Sequence, residues 1–181
     1  MKYYAVQVKT RAEDRFIKLF HALNPSMQFP IYFPKRELRE RHKEKLIRKN
    51  LSIFPGYVFI EIDDTERIET YHWALRRTDG FARFLRSNQD VTPLDGRDLE
   101  LILHFIKRTG PVAGVSKVYF NEHDRIVVRQ GPLKGLEGNI VKVDKRKGRA
   151  KIKLDLYGEA YLVDLAFEVM DPNKAMDPNK A

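Results

Sequence analysis

Cysteine is absent from the 181 residues of this chain. Its absence excludes disulfide bonds, thiolate nucleophiles and the zinc or iron–sulfur sites that need cysteine ligands. Long apolar runs are missing too, because a stretch such as residues 57–60 is far shorter than the ~18 to 20 residues that cross a bilayer. Gln7 and Lys9 interrupt the apolar pattern at the N-terminus, so no signal peptide is indicated. We therefore expect a soluble cytoplasmic protein with no membrane partner.

Acidic residues are few relative to basic ones. The chain has 34 Lys and Arg against 25 Asp and Glu, which gives 34 − 25 = +9. A basic protein attracts polyanions, so nucleic acid is the favoured class of partner. Hydrophobic residues make up 43% and aromatic residues 11% of the chain, which is enough to build a core and argues against disorder.

The residue patterns of metal, cofactor and catalytic sites are also missing. The five histidines lack the i,i+4 or His-x-Glu spacing of metal ligands. The glycine-rich segment 131–138 lacks the Gly-Lys-Ser/Thr ending of a phosphate-binding loop and precedes a strand pattern, so its glycines indicate turns. We predict no metal site, no cofactor and no catalytic residue, and nothing in the sequence requires an enzyme.

Periodicity divides the chain into two kinds of structure. Residues 3–8 alternate as a strand does, whereas residues 11–23 and 95–108 repeat apolar positions at helical spacing. Thr10 and Glu13 have the spacing of a capping box at the start of the first helix. Asp63, Asp64 and Thr65 could cap a further helix that carries Ile68, Tyr71, Trp73 and Leu75.

Glycine and proline at positions 109–116 mark a linker, and only strand patterns follow it. We predict a first domain over residues 1–108, a linker over 109–121 and a small four- or five-stranded β-barrel over 122–170. Residues 170–175 are repeated at 176–181, so we interpret residues 171–181 as a duplicated, disordered tail.

Basic residues cluster between positions 142 and 153, with Asp144 as the single acid. Ala150, Ile152 and Leu154 should point inward on a strand, which places the intervening basic residues on the other face. An edge strand protected by lysine is the alternative, but it does not need a neighbouring basic turn, so phosphate binding is favoured. The seven candidate residues are Lys142, Lys145, Arg146, Lys147, Arg149, Lys151 and Lys153.

A second basic run, residues 35–49, includes interspersed glutamates and is typical of a projecting loop or hairpin tip. A solvated tip and a contact to nucleic acid or protein are equally compatible with it.

Tyr57 and Phe59 share one face of a predicted strand with Glu61. Both faces of this strand could be buried, which is the usual fate of aromatic residues. If helices cover only one face of the sheet, the pair instead forms an apolar patch for a partner helix. The residue pattern leaves both alternatives open.

Several motifs resemble those of one family. The strand at residues 3–8, the segment 54–59 and Trp73 before residues 78–81 are similar to the N-terminal (NGN) domain of NusG-type transcription factors. Residues 124–143 closely resemble a KOW motif. The resemblance implies an α+β fold, in which an NGN domain with an antiparallel β-sheet flanked by helices precedes a small SH3-like KOW β-barrel.

The resemblance also implies a set of contacts. An NGN domain docks on the clamp helices of the largest subunit of RNA polymerase, and Tyr57 and Phe59 match the docking positions. Gln7, where some relatives carry an aromatic residue, and Phe81 complete the expected polymerase-binding set. Arg76 and Arg77 could contact non-template DNA or could compensate a helix dipole. We expect a monomer.

Within this family the chain is similar to the LoaP type of specialised antiterminator, because residues 144–152 are unusually basic. That similarity implies a processive antiterminator whose KOW domain uses the seven basic residues to bind a leader RNA hairpin. Glu159 reverses a charge in the segment that contacts Rho or a ribosomal protein in general factors, which argues against those partners. The alternatives are a general elongation or termination factor whose KOW domain binds proteins, and a ribosome-associated RNA-binding protein.

Overall fold

The structure is a computed structural model that describes residues 1–27, 29–42, 45–85, 88–89 and 91–170. The chain divides into two compact units. The first unit consists of Met1–Pro34 and Phe54–Leu103, and the second joins Lys35–Ile53 to the chain from His104 onward. The predicted tail, residues 171–181, lies outside the described residues.

The helices and strands follow one another in a mixed order. They are β1 (Lys2–Val8), α1 (Glu13–Leu23), β2 (Ile31–Tyr32), β3 (Lys35–His42), β4 (Lys45–Ser52), β5 (Tyr57–Ile62), α2 (Glu69–Arg77), β6 (Phe81–Phe84), α3 (Gly96–Leu103), β7 (Val112–Ala113), β8 (Ser116–Phe120), β9 (Ile126–Gln130), β10 (Ile140–Asp144), β11 (Arg149–Leu156) and β12 (Glu159–Val169). A π-helical turn, His104–Arg108, continues α3, and a 3₁₀ turn, Glu137–Asn139, precedes β10.

The first unit is built on a four-stranded sheet with the order β2-β5-β1-β6. Strand β5 pairs antiparallel with β1 and with β2, and β1 pairs antiparallel with β6. Its main core contains alternate residues of β1 and β5 packed against apolar residues of α1 and α2. Phe16 and Phe20, one helical turn apart on α1, are fully buried in this core, as the helical spacing predicts.

Helix α1 does not begin with the predicted capping box. Its N-cap residue is Ala12, which makes no side-chain capping bond. The buried carboxylate of Glu13 instead accepts a hydrogen bond of 2.7 Å from the backbone N–H of Gly56. Gly56 has a φ of 82°, which a glycine adopts without strain. Glu13 therefore fixes the Pro55-Gly56 turn at the start of β5 rather than the end of its own helix.

The other two predicted helices are present with different boundaries. Residues 96–108 are helical, as α3 and its π-helical continuation, in close agreement with the prediction of 95–108. Helix α2 starts only at Glu69. Asp63 accepts hydrogen bonds from the backbone N–H and the hydroxyl of Thr65, so it stabilises a turn before the helix instead of capping it.

The second unit contains a five-stranded sheet with the order β10-β11-β12-β8-β9. Strands β8 and β12 pair in parallel, with Ser116 opposite Phe167. Strand β8 lies within residues 109–121, the segment that the sequence predicts as a linker. Gly110, Pro111 and Gly114 interrupt the pattern there and conceal two short strands, β7 and β8.

The basic run at residues 35–49 belongs to an antiparallel hairpin of β3 and β4. Strand β3 also pairs in parallel with β7, which places Lys35 opposite Val112. This three-stranded sheet is part of the second unit together with the five-stranded sheet. The second unit is therefore discontinuous in sequence, because the hairpin is supplied by a segment that precedes β5.

Candidate nucleic-acid interface

The candidate basic residues lie on the hairpin formed by β10 and β11. The connecting turn is fixed by Asp144, whose carboxylate accepts a 2.9 Å hydrogen bond from the backbone N–H of Lys147. Gly148 completes the turn with a φ of 60° and accepts a 2.8 Å hydrogen bond from the N–H of Phe167 on β12. The turn is thus held from within and from the neighbouring strand, and its side chains start from fixed backbone positions.

Strand β11 has the two faces that its alternation predicts. Ala150, Ile152 and Leu154 are fully buried, whereas Arg149, Lys151 and Lys153 are half-buried or exposed on the opposite face. The strand therefore presents a row of cations away from the core of the second unit.

Three of the seven predicted cations, Lys142, Arg146 and Lys147, are exposed and form no side-chain hydrogen bond or ion pair with the described residues. We call these three residues the unpaired cations. None of the three has an ion-pair partner among the residues that the structure describes, although Lys142 and Lys147 line a small pocket together with Asp144 and Asp164. They are therefore the members of the set that attract a polyanion most strongly.

Three other cations are each beside one carboxylate. Lys145 forms an ion pair with Asp124, and its ammonium group lies 4.0 Å from the centre of the Phe120 ring. The remaining pairs are Lys151 with Asp164 at 3.8 Å and Lys153 with Asp155 at 3.6 Å. Such exposed pairs contribute about 0–1 kcal/mol to stability, so an incoming phosphate can replace the carboxylate at little cost.

Arg149 differs from the other six because its side chain is only 19% exposed. Its guanidinium group donates a 3.0 Å hydrogen bond to the carbonyl oxygen of Arg39 and lies 3.5 Å from the carboxylate of Glu40. Both partners are on β3. Arg149 thus joins the β3–β4 hairpin to the five-stranded sheet, a structural role that the sequence does not predict.

Further contacts join β3 to the five-stranded sheet. Arg39 forms ion pairs with Glu37 and with Glu168 on β12, and hydrogen bonds to these two carboxylates raise its pKa. Burial lowers the pKa of Arg36, a shift that Asp164 opposes and Arg149 reinforces. No local pattern predicts these contacts, because the partners are far apart along the chain. The charge density of residues 35–49 is the one local feature that indicates a surface with charged partners.

The predicted polymerase-binding residues fall on different sides of the first unit's sheet. Gln7 lies opposite Tyr57 in the register of β1 and β5, so these two residues share a face with Phe59. The side chain of Gln7 accepts a 2.7 Å hydrogen bond from Arg83 on β6. Phe81 instead packs against the main core, which contains Val58 and other residues of the opposite face. The structure therefore brings together three of the four predicted residues.

Tyr57 and Phe59 do not form an exposed aromatic pair in this structure. Tyr57 is 3% exposed and Phe59 is fully buried, with the ring of Phe54 edge-on to Phe59 at 5.7 Å. Glu61, on the same face, is also buried and accepts a hydrogen bond from the hydroxyl of Tyr32. Of the two alternatives that the sequence leaves open, the structure shows the one in which both faces of the strand are covered.

Helix α2 carries a solvent-facing aromatic and basic group. Trp73 is 69% exposed, and the guanidinium group of Arg76 lies 5.6 Å from the centre of its ring. Arg77 is exposed in the same last turn of the helix. The arginines therefore stand beside an accessible indole ring, an arrangement that suits stacking on a nucleic-acid base as well as dipole compensation.

The described helices include none that is long and apolar enough to cross a membrane. Among the same residues, no group of three or more His, Asp or Glu side chains is arranged to hold a metal ion.

A family model described as NusG, transcription termination factor, matches residues 1–103. This span is more than half of the chain, and the class of protein is therefore a transcription termination or antitermination factor. The chain belongs to the NusG family. The resemblance inferred from residues 3–8, 54–59 and 78–81 is confirmed.

Several characterised relatives are similar over most of their length. The transcription termination/antitermination protein NusG of Thermus thermophilus is 29% identical over 153 residues, which are 83% of this chain and 79% of the relative. The proteins of the same name from Bacillus subtilis and Helicobacter pylori J99 are 28% identical over 148 residues and 23% identical over 181 residues. The match to the Bacillus subtilis protein covers 79% of each chain, and the match to the Helicobacter pylori protein covers 94% of this chain and 98% of the relative. The similarity therefore extends beyond residue 103 into the basic half of the chain.

Among solved structures, one described as domain interaction in Thermotoga maritima NusG covers 91% of this chain and 93% of its own at 19% identity, with a TM-score of 0.49. The curated relatives are transcription termination/antitermination proteins by name.

Proposed function

We propose that this chain is a specialised processive antiterminator of the NusG family. Its first unit binds the clamp helices of the largest subunit of RNA polymerase. Its second unit binds an RNA hairpin in the leader of a target operon through the β10–β11 hairpin.

The observation that carries the RNA-binding part is the set of unpaired cations, Lys142, Arg146 and Lys147. All three are exposed on one β-hairpin and form no ion pair with a described carboxylate. Each phosphate that such a residue neutralises releases condensed counterions, which supplies affinity without any covalent chemistry. Lys151 and Lys153 extend the same basic surface along β11 once a phosphate replaces their carboxylate partners.

The polymerase-binding part is supported by membership of the NusG family and by the shared face of Gln7, Tyr57 and Phe59. Because Tyr57 and Phe59 are buried, docking through them requires that the side chains covering this face move aside. Trp73, Arg76 and Arg77 on α2 are already exposed, and we assign contact with non-template DNA to them.

One observation favours a second candidate, a general elongation or termination factor whose second unit binds proteins. Four of the seven predicted cations have a carboxylate neighbour, so more than half of the predicted basic surface is locally neutral; they are Lys145, Arg149, Lys151 and Lys153. A solvated surface of this kind suits a protein partner better than it suits a phosphate backbone.

Titration of the full-length chain with RNA hairpins from the leaders in its own genome, at several salt concentrations, separates the two candidates. The test variant combines Arg146→Ala with Lys147→Ala. The matched control combines Lys117→Ala with Lys134→Ala, which removes the same charge from exposed lysines of the second unit outside the β10–β11 hairpin.

For the antiterminator we expect one leader hairpin to bind far more tightly than a scrambled RNA. In the test variant, the plot of log affinity against log salt should also become less steep. Its negative slope should shrink in magnitude by about 0.7 to 0.9 for each phosphate that the protein no longer neutralises, and the control should not show this change. Equal affinity for all RNAs, with test and control variants weakened alike, would instead favour the general factor.

A further inference from the structure

An open cleft of about 850 Å³ lies within the second unit, between strand β3 and the β10–β11 turn. One wall is the turn itself, and the other carries Arg39 and Glu40. Phe167 and Val169 of β12 also line the cleft. The volume is within the roughly 300 to 1,000 Å³ of pockets that hold small molecules, so a nucleotide has room to enter.

The cleft combines basic side chains with an apolar surface. Five of its lining residues are cations and one is an acid. Three of the cations, Arg39, Lys145 and Arg149, have carboxylate partners, whereas Arg146 and Lys147 form no ion pair with a described residue. Phe167 is almost fully buried, but Val169 is 58% exposed. The side chain of Val169 therefore offers the cleft an accessible apolar contact for a base, beside cations that can contact its phosphates.

The geometry distinguishes between two forms of RNA. A paired A-form helix keeps its bases stacked inside and presents phosphates and sugars, so its bases cannot reach a surface between two walls. An unpaired base in a loop or bulge can be splayed out and stacked, while the adjacent phosphates contact cations at the rim. The cleft therefore fits unpaired nucleotides, whereas the exposed face of β11 fits a phosphate backbone.

We propose that this cleft binds an unpaired segment of the RNA, with a base against Val169 and with phosphates at Arg146 and Lys147. The inference rests on the proposed RNA-binding function and deepens it. It assigns the β3–β4 hairpin, through Arg39 and Glu40, to the RNA-binding surface as one wall of the cleft. Arg149 acts here as a positioning residue, because it holds β3 in place.

The test uses the full-length chain and two probes, a stem-loop RNA with a uridine loop and the same stem closed as a blunt duplex. The variant is Val169→Asp, and the matched control is Leu162→Asp. Leu162 is also an exposed apolar residue of β12, at 62% exposure, but it does not line the cleft. Both substitutions add the same charge to the same strand.

We expect Val169→Asp to reduce the preference for the looped RNA over the duplex by about fivefold or more, because it replaces an apolar contact with the base by a carboxylate next to the phosphates. Leu162→Asp should leave that preference unchanged. If the two variants have the same preference as the parent chain, the cleft proposal is overturned while RNA binding itself stands. If the parent chain binds neither probe above a salt-sensitive background, the cleft proposal is also overturned, and the titration with leader hairpins decides the proposed RNA-binding function separately.

A second measurement uses the absence of cysteine from the chain. Val169→Cys introduces a single thiol that an alkylating group on a loop uridine can capture, and Leu162→Cys provides the matched control. Capture at position 169 by the loop probe, and not by a probe alkylating from the stem, supports the proposal. Equal capture at positions 162 and 169 overturns it, and this readout does not depend on how Val169→Asp alters folding.

Discussion

Strands β5 and β11 have similar sequence patterns and differ in the structure. Both alternate two classes of side chain, yet all six residues of β5 are buried whereas β11 buries only every second residue. The second class in β5 consists of aromatic residues and one glutamate, and in β11 it consists mainly of lysine and arginine. Alternation therefore identifies an exposed face reliably only when the alternate residues carry charge that cannot be buried cheaply.

The two strands also differ in what their polar groups contact. Glu61 on β5 is buried and bonded to Tyr32 of the adjacent strand β2. The cations Lys151 and Lys153 of β11 are paired with carboxylates at the surface. The polar groups of β5 are thus committed to the fold, whereas these lysines of β11 remain available to a partner.

Phe59→Ala has the largest expected effect and tests whether the second face of β5 is closely packed. Because Phe59 is fully buried on the face that its sequence pattern would allow to be exposed, we expect the free energy of unfolding to fall by about 3–5 kcal/mol. Equilibrium unfolding in urea, followed by circular dichroism, measures the change. Trp73→Ala, at an exposed aromatic residue of the same unit, should change it by less than about 0.5 kcal/mol. Comparable small losses in both variants would show that the face is loosely covered.

Gly148→Ala tests whether the turn of the basic hairpin is packed as closely as β5. An added Cβ would lie 2.7 Å from the carbonyl oxygen of Phe167, and the φ of 60° is strained for alanine. We expect a loss of about 2 kcal/mol in the same assay. Gly158→Ala is the matched control, since its φ of 76° imposes similar strain but its Cβ meets nothing within 4 Å. Equal losses at the two positions would argue against a close approach of the turn to β12.

Arg149→Ala separates a structural cation from a solvated one on the same strand. Removal of its charged hydrogen bond to Arg39 should lower the free energy of unfolding by about 1.5 kcal/mol. Lys153→Ala, whose side chain is beside Asp155 at the surface, should change it by less than about 0.5 kcal/mol. Protease cleavage within residues 45–52 should also accelerate in Arg149→Ala. Unchanged cleavage would mean that the hairpin is held without this residue.

The smallest expected effect is the contribution of Glu40 to the pH dependence of stability. A hydrogen bond from Lys49 and the nearby charge of Arg149 hold the pKa of Glu40 below its ordinary value of 4.5. Because the pKa of Glu40 is lower in the folded state than in the unfolded chain, its ionised carboxylate stabilises the fold at pH values above the ordinary pKa. This contribution is lost as the pH falls through the lower pKa of the folded state. Urea unfolding at successive pH values should therefore show Glu40→Gln to be less stable than the parent near neutrality, with the gap closing in acid. A gap independent of pH would contradict the assignment.

Local patterns predicted the parts of the fold whose partners are close in sequence. Helical spacing located α1 and α3, and alternation located β11 together with the side of the strand on which Arg149, Lys151 and Lys153 lie. The seven candidate cations fall within twelve residues, so a single turn is enough to place them on one hairpin. Periodicity and turn-forming residues are sufficient to predict features that span so few residues.

Other features depend on residues that no local pattern connects. Arg39 meets Glu168 across 129 positions of the chain, and this pairing turns a solvated charge run into a wall of the cleft. The burial of Tyr57 and Phe59 likewise depends on what covers the second face of β5, which alternation leaves undecided. Strand β8 was not predicted because the glycines and proline beside it indicate a linker, and its pairing with β12, which begins about forty positions later, leaves no local signal.

The discontinuity of the second unit has a consequence for biosynthesis. Residues 35–53 leave the ribosome well before β7 and β12 exist, so a nascent chain must carry a basic hairpin that lacks the partners of Lys35 and Arg39. Closing a loop of this size costs entropy that grows slowly with its length, and the contacts can form only once β7 and β12 have been translated. The proposed RNA cleft therefore cannot assemble before β12 is present, and a product truncated before β12 would carry the hairpin without it.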